Sequence, residues 1–188
     1  YDGKLAFYDA EEEVCVGVLV FAERYRRLEK KMAVQEKDPC RKVELTAISR
    51  VLARVPAQPA SSFHEALQMV WLMQLIPQIE SNGFSISLGR LDQYCWPYLK
   101  ADLAAGTITL EQAQELLDLL WLKFCEILRV DSRDAAEVNA GYYVAGQNIE
   151  VGGVDRGGHD CTNLLSYLCL NANRHIQLHQ PNFTIRLH

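Results

Sequence analysis

The run from Phe63 to Ile76 constrains this chain most. Apolar residues take nearly every position: Phe63, Ala66, Leu67, Met69, Val70, Trp71, Leu72, Met73, Leu75 and Ile76. A capping box, Ser62-Phe63-His64-Glu65, opens it as a helix, because the two ends can satisfy each other's backbone donors. A surface helix has an apolar stripe and a polar face. This one has no clear polar face, so it belongs in the middle of a larger body. Pro77 is expected to kink or end it.

Composition narrows the setting. With 188 residues, 49% hydrophobic and 23% charged, the chain is long and apolar enough for one globular domain with a sizeable core. Twenty-four acidic against nineteen basic residues give a net charge of −5, which argues against a nucleic-acid partner. The most apolar stretch, Val14 to Ala22, lies between Glu11-Glu12-Glu13 and Glu23-Arg24-Tyr25-Arg26-Arg27. It falls short of the roughly 18 apolar residues of a membrane span. No signal peptide begins at Tyr1, so no membrane partner and a cytoplasmic location are expected. The six cysteines, 15, 40, 95, 125, 161 and 169, form no C-x-x-C pair and have no zinc-type spacing with the five histidines. They read as free thiols, and no metal site is expected.

Periodicity and breakers place the elements. Helices are expected over 4–34, from Asp38-Pro39 to about Ala53, and across 91–105 with an interruption at Pro97 and a stop at Gly106. The first carries an apolar stripe broadly at helical spacing: Leu5, Tyr8, Cys15, Val18, Leu19, Ala22, Tyr25 and Met32. Val55-Pro56-Ala57-Gln58-Pro59 reads as an extended connector. A second capping box, Thr109-Leu110-Glu111-Gln112, opens a helix with an apolar face of Leu116, Leu119, Leu120 and Ile127. Phe84-Ser85-Ile86-Ser87-Leu88 alternates as a short strand broken by Gly89, and 131–141 reads as loop. Strand is expected over 142–151, a helix capped by Asp160 over 161–174, and strand again over 182–187. That unit implies a parallel pairing. The fold class is α/β, helix-rich, with 1–130 mainly helical and a strand-helix-strand unit over 142–187. Two or three strands cannot cover both faces of a parallel sheet, which points to part of a larger α/β protein.

Four stretches together resemble the glycyl radical enzyme superfamily, in its pyruvate formate-lyase-like subgroup with the glycerol and diol dehydratases. The first is Val55-Pro56-Ala57-Gln58-Pro59-Ala60 leading into Phe63-His64-Glu65-Ala66-Leu67-Gln68. The second is Ile79-Glu80-Ser81-Asn82-Gly83-Phe84-Ser85-Ile86-Ser87, then Gly89-Arg90-Leu91-Asp92-Gln93-Tyr94 and Pro97-Tyr98. The third is Gln147-Asn148 with Val151-Gly152-Gly153, then Asp160-Cys161-Thr162-Asn163 and Leu165-Ser166. The fourth is Gln180-Pro181-Asn182. The resemblance spans roughly residues 1–188. It implies an internal, truncated segment of a ten-stranded α/β barrel, in proteins several times longer.

The resemblance also implies the chemistry. A radical-SAM activating enzyme makes a glycyl radical, which passes to a cysteine in a Gly-Cys-(Val/Ile)-Glu motif, and the thiyl attacks a small-molecule substrate. Neither that motif nor the Arg-Val-x-Gly-Tyr pattern of the glycyl radical loop is in this sequence. Cys125-Glu126 is the nearest imitation, but Phe124 precedes it and it lies in a helix. No catalytic residue and no bound cofactor are therefore expected in this segment, and the chain alone should be inactive. The full-length enzyme would be an anaerobic lyase or dehydratase cleaving a C–C, C–O or C–N bond, as a homo-oligomer. The alternative is a non-catalytic remnant or assembly subunit that keeps the scaffold. A third reading, an unrelated helical module, is disfavoured by the four ordered stretches.

Phe84 and Ser85 are the expected substrate-binding residues. In the dehydratase relatives the pair after Asn-Gly is often His-Ser, which reaches a substrate hydroxyl. Here Ser85 agrees and Phe84 departs. A phenyl ring cannot supply the lost hydrogen bond, so Phe84 suits an apolar, aromatic or cationic group better than a polyol. Arg90 and Asp92 are expected to fix the turn into the next helix as a fork pair. His64 reads as structural. His175 and His179 have the i, i+4 spacing of a metal pair, but Pro181 puts His179 outside the helix. Gln147, Asn148, Gln180 and Asn182 are expected to satisfy backbone groups at strand starts. Gly152-Gly153 and Gly157-Gly158 lack phosphate-loop spacing.

Overall fold

The computed structural model describes residues 2–81, 85–127, 132–138 and 146–187, without the side chains of 2, 135, 136 and 138. Its backbone contacts divide it into two compact units, Tyr1–Ser61 and Ser62–His188.

The first unit is two helices, α1 (Asp2–Gln35) and α2 (Pro39–Arg54). Asp38 caps α2 by accepting from Cys40 N–H at 2.9 Å, and Pro39 takes the first helical position. The two helices pack through Ala22, Ala33, Leu45, Val51 and Leu52, and Ser49 Oγ donates to Arg26 O at 3.2 Å. Of the stripe expected on α1, Ala22 is buried, whereas Leu5, Tyr8, Leu19, Tyr25 and Met32 are exposed. Residues 55–57 form a turn, closed by Gln58 N–H on Arg54 O, instead of an extended connector.

The second unit begins with α3 (Phe63–Ser81). Pro77 does not end it: a proline removes one ladder bond, and the last turn is retied by Ser81 Oγ donating to Pro77 O at 2.6 Å. The expected strand at 84–88 lies elsewhere. β1 is Gly89–Arg90, residues 86–88 have no regular structure, and Phe84 lies outside the described residues. Gly89 is thus inside the strand that it was expected to break. Then come α4 (Leu91–Tyr94), α5 (Trp96–Ala105), stopped by Gly106 in the left-handed conformation, and α6 (Leu110–Glu126) behind its complete Thr109/Gln112 capping box. The face that α6 buries is Ala113, Leu117, Leu120, Trp121 and Phe124; Leu119 is exposed, contrary to expectation.

Residues expected as loop contain a short helix, α7 (Arg133–Val138), supported by an Arg133–Glu137 ion pair one turn apart at 3.4 Å. β2 (Asn148–Gly152), α8 (Leu164–Ile176) and β3 (Asn182–Arg186) follow. The part of the expected strand over 141–145 lies outside the described residues. Asn163, not Asp160, caps α8, by accepting from Leu165 N–H at 2.9 Å; Asp160 accepts from Thr162 instead. The strands form one parallel sheet in the order β1-β2-β3, with Gly89 opposite Ile149 and Asn148 opposite Asn182. The expected α/β, strand-helix-strand architecture is present. Trp121, Phe63, Phe124, Leu91, Leu99 and Ile149 form its core, each side chain contributing about 2–3 kcal/mol on burial.

Candidate functional site

Two of the four sequence stretches, the second and the third, converge on one glycine. Gly152 ends β2 at a φ of 74°, where a Cβ would lie 2.9 Å from Arg186 O. Asp92 Oδ2 accepts from its N–H at 2.8 Å, and Arg90 Nη2 donates to its carbonyl at 2.7 Å. Arg90 Nη1 reaches Val154 O at 3.2 Å. Ser166 Oγ donates to the same Asp92 oxygen at 2.5 Å. Asn163 Nδ2 donates to Asp92 O at 3.0 Å, and Gln93 Nε2 to Cys161 O at 2.9 Å. Contrary to expectation, Arg90 and Asp92 therefore do not fork onto each other. Each takes one side of the same glycine, and together they lock α4, β2 and α8.

A second cluster lies at the strand starts. Gln74 Nε2 donates to Ile86 O at 2.9 Å and to Gln147 Oε1 at 3.0 Å. Gln147 Nε2 donates to Phe124 O at 2.8 Å, and Gln147 N–H to Gln180 Oε1 at 3.0 Å. Gln147 and Gln180 do satisfy backbone groups or one another. Gln74 escaped the sequence reading; its signal was an amide inside an apolar helix.

Ser85 follows directly from this cluster. It is exposed, at a φ of 58°, a left-handed conformation unusual for serine. Gly146 abuts it: a Cβ on Gly146 would come 2.9 Å from Ser85 Oγ. Phe84, its expected companion, lies outside the described residues.

Three of the six thiols are held in the protonated form by burial. Burial pushes Cys95 up to about 12, raises Cys169 well above the ordinary range and raises Cys125. Cys125 lies in α6 and its thiol donates to Gln180 O at 3.1 Å. Among the described residues no group of three His, Cys, Asp or Glu side chains could hold a metal ion. His175 ends α8 with Nδ1 2.9 Å from Asp118 Oδ2, while His179 is outside that helix. Burial lowers His64, as a packed imidazole requires. A shallow depression of about 470 Å³ along α6, lined by Leu110, Asp118 and Leu122 among others, includes none of the motif residues.

The sequence profile of the pyruvate formate lyase-like proteins matches residues 1–188. The chain belongs to the pyruvate formate lyase-like family. It is 37% identical over 187 residues to the isethionate sulfite-lyase of Nitratidesulfovibrio vulgaris, covering 98% of this chain and 22% of that one. A solved structure from Roseburia inulinivorans, described for 1,2-propanediol dehydration, superposes with a TM-score of 0.96 at 42% identity, over 100% of this chain and 22% of the other. A glycyl radical enzyme from Archaeoglobus fulgidus gives a TM-score of 0.92 at 36% identity, over 100% and 24%. This pyruvate formate lyase-like chain thus spans between a fifth and a quarter of the length of these relatives. Its helices and three-stranded sheet coincide with one continuous stretch of the glycyl radical enzyme fold. The family carries an organic glycyl radical, but the residues here do not fit its relay. No cysteine follows a glycine in the sequence, so none matches the Gly-Cys-(Val/Ile)-Glu motif. No helix among the described residues is long and apolar enough to cross a membrane.

Proposed function

We propose that this chain is a stretch of a glycyl radical lyase or dehydratase, and that Phe84 and Ser85 line the mouth of its substrate pocket. The observation that carries the reading is Ser85. Its side chain is exposed, and its backbone is held in a conformation that serine does not adopt by itself. Such a conformation persists where the surroundings impose it, and such positions cluster at ligand-contacting sites. The likeness to isethionate, propanediol and glycyl radical enzymes over the whole chain supports the reaction class. In this reading the segment supplies scaffold and pocket wall, and the radical residues come from elsewhere in the protein. A radical-SAM activating enzyme is the partner, and a homo-oligomer in the cytoplasm is the working form. The substrate is a small organic molecule.

The test uses the intact enzyme that carries this segment, with isethionate and 1,2-propanediol as probes. Phe84→His restores an imidazole donor and should raise the kcat/KM ratio of the diol over the sulfonate about tenfold or more. Ser85→Ala should raise KM. Unchanged preference in the first and unchanged KM in the second would remove both residues from the pocket.

A further inference from the structure

Ser85 needs something to hold it. A left-handed backbone is unfavourable for a non-glycine residue, so its neighbours must impose it. Three contacts pin the segment. Gly146 leaves room where any side chain would collide with Ser85 Oγ. Leu88 N–H donates to Asn148 O at 2.9 Å. Between them, Gln74 Nε2 grips the carbonyl of Ile86, the residue next to Ser85, at 2.9 Å.

The direction of the amide chain is fixed by backbone groups that have no choice. Ile86 O can only accept, so Gln74 presents its nitrogen. The remaining N–H of that amide then meets Gln147 Oε1. Gln147 must in turn point its nitrogen at Phe124 O, which also can only accept. The backbone N–H of Gln147 can only donate, and it takes Gln180 Oε1. Every link agrees with the next. The three glutamines are 3%, 0% and 1% exposed; Gln180 Nε2 has no partner among the described residues, and breaking the other links would leave further buried polar groups unsatisfied. The chain therefore ties the carbonyl beside Ser85 to the starts of β2 and β3, which are rigid sheet elements.

We propose that Gln74 is a positioning residue for substrate: it holds the Ile86 carbonyl and so keeps Ser85 in the left-handed conformation that faces the pocket. The inference rests on the reading of Ser85 as a pocket residue. Gln74 touches no substrate itself and acts through Ser85.

The experiment is a double-mutant cycle in the intact enzyme, with isethionate and 1,2-propanediol as probes and crystal structures of each variant. Gln74→Met removes both donors at similar volume. Gln74→Glu keeps the shape and, neutral when buried, keeps one donor. In Gln74→Met, Ser85 should leave the left-handed region while the strands stay in place. KM should rise about tenfold, with kcat changed less. In the Ser85→Ala background the same substitution should change KM less than twofold, because the path through Ser85 is gone. Gln74→Glu should recover part of the loss. An unmoved Ser85, or equal KM effects in both backgrounds, overturns the inference and leaves the pocket reading standing. A Ser85→Ala variant with unchanged KM overturns both. If Gln74→Met does not fold, Gln74→Asn decides in its place: its amide is one methylene too short to reach the Ile86 carbonyl, and unmoved Ser85 with unchanged KM overturns the inference.

Discussion

Gly152 is gripped on both sides, its N–H by Asp92 and its carbonyl by Arg90. Asp92 is 0% exposed, and one of its oxygens serves two donors while the other has no partner. Removing that carboxylate leaves the Gly152 N–H and the Ser166 hydroxyl unsatisfied in the interior. Each orphaned group costs about 1–3 kcal/mol, and bonds to a charged acceptor lie at the strong end. Asp92→Ala should therefore destabilise the protein by about 2–4 kcal/mol, and Ser166→Ala, which removes the donor to Asp92 and the acceptor for Asn163 N–H, by about 1–2. Urea unfolding would measure both. A loss under about 1 kcal/mol for Asp92→Ala would show that water replaces the carboxylate freely. The two glycines and the Asp-x-x-Asn run had a visible spacing in sequence. What the spacing could not show is that residues sixty positions apart share one peptide unit.

At the scale of elements, local grammar was legible and long-range grammar was not. The capping box of α6 closes within four residues, and sequence located it: Thr109 and Gln112 exchange both bonds. The box at Ser62 was read as well, and Ser62 Oγ accepts from Glu65 N–H at 3.2 Å. Yet the first amide of α3, Phe63 N–H, is taken by Asp102 of α5 at 2.7 Å, a cap delivered from 39 residues away. The strand at 84–88 was misplaced for the same reason. Alternation suggested pairing, but pairing is decided by the partner, and β2 meets Gly89 and Arg90. Asp160 lost the cap of α8 to Asn163 because both are good capping types three residues apart, and tertiary bonds to Asp92 O chose between them. The proposal of Phe84 and Ser85 as pocket residues followed from family likeness and not from physics, since neither carries a titratable or metal-binding group. The Asp102 cap gives a test. Asp102→Ala should cost about 1–2 kcal/mol by thermal unfolding, more than Ser62→Ala, because a carboxylate at a helix N-terminus also meets the positive end of the dipole. Equal losses would make the two caps interchangeable.

For the whole molecule, what is uncovered matters as much as what is packed. Along α1, Leu5, Phe7, Tyr8, Val14 and Val16 are each at least half exposed. In the sheet β3 is an edge strand in the order β1-β2-β3, and it carries Ile185 at 52% exposure, followed by Leu187 at 89%. An edge strand offers unpaired N–H and C=O groups as a template, and exposed apolar side chains beside it add a driving force. The 188-residue chain, prepared alone, should therefore self-associate. Sedimentation velocity over a concentration series should show a weight-average coefficient that rises with concentration. Ammonium sulfate should strengthen the effect, since apolar burial grows with excluded salts while charge pairing is screened. An Ile185→Lys variant puts a charge on the edge and should weaken association at least threefold if the β3 edge contributes. A 21.3 kDa monomer at every concentration, unmoved by sulfate, would show that these surfaces are solvated without cost and that nothing need cover them.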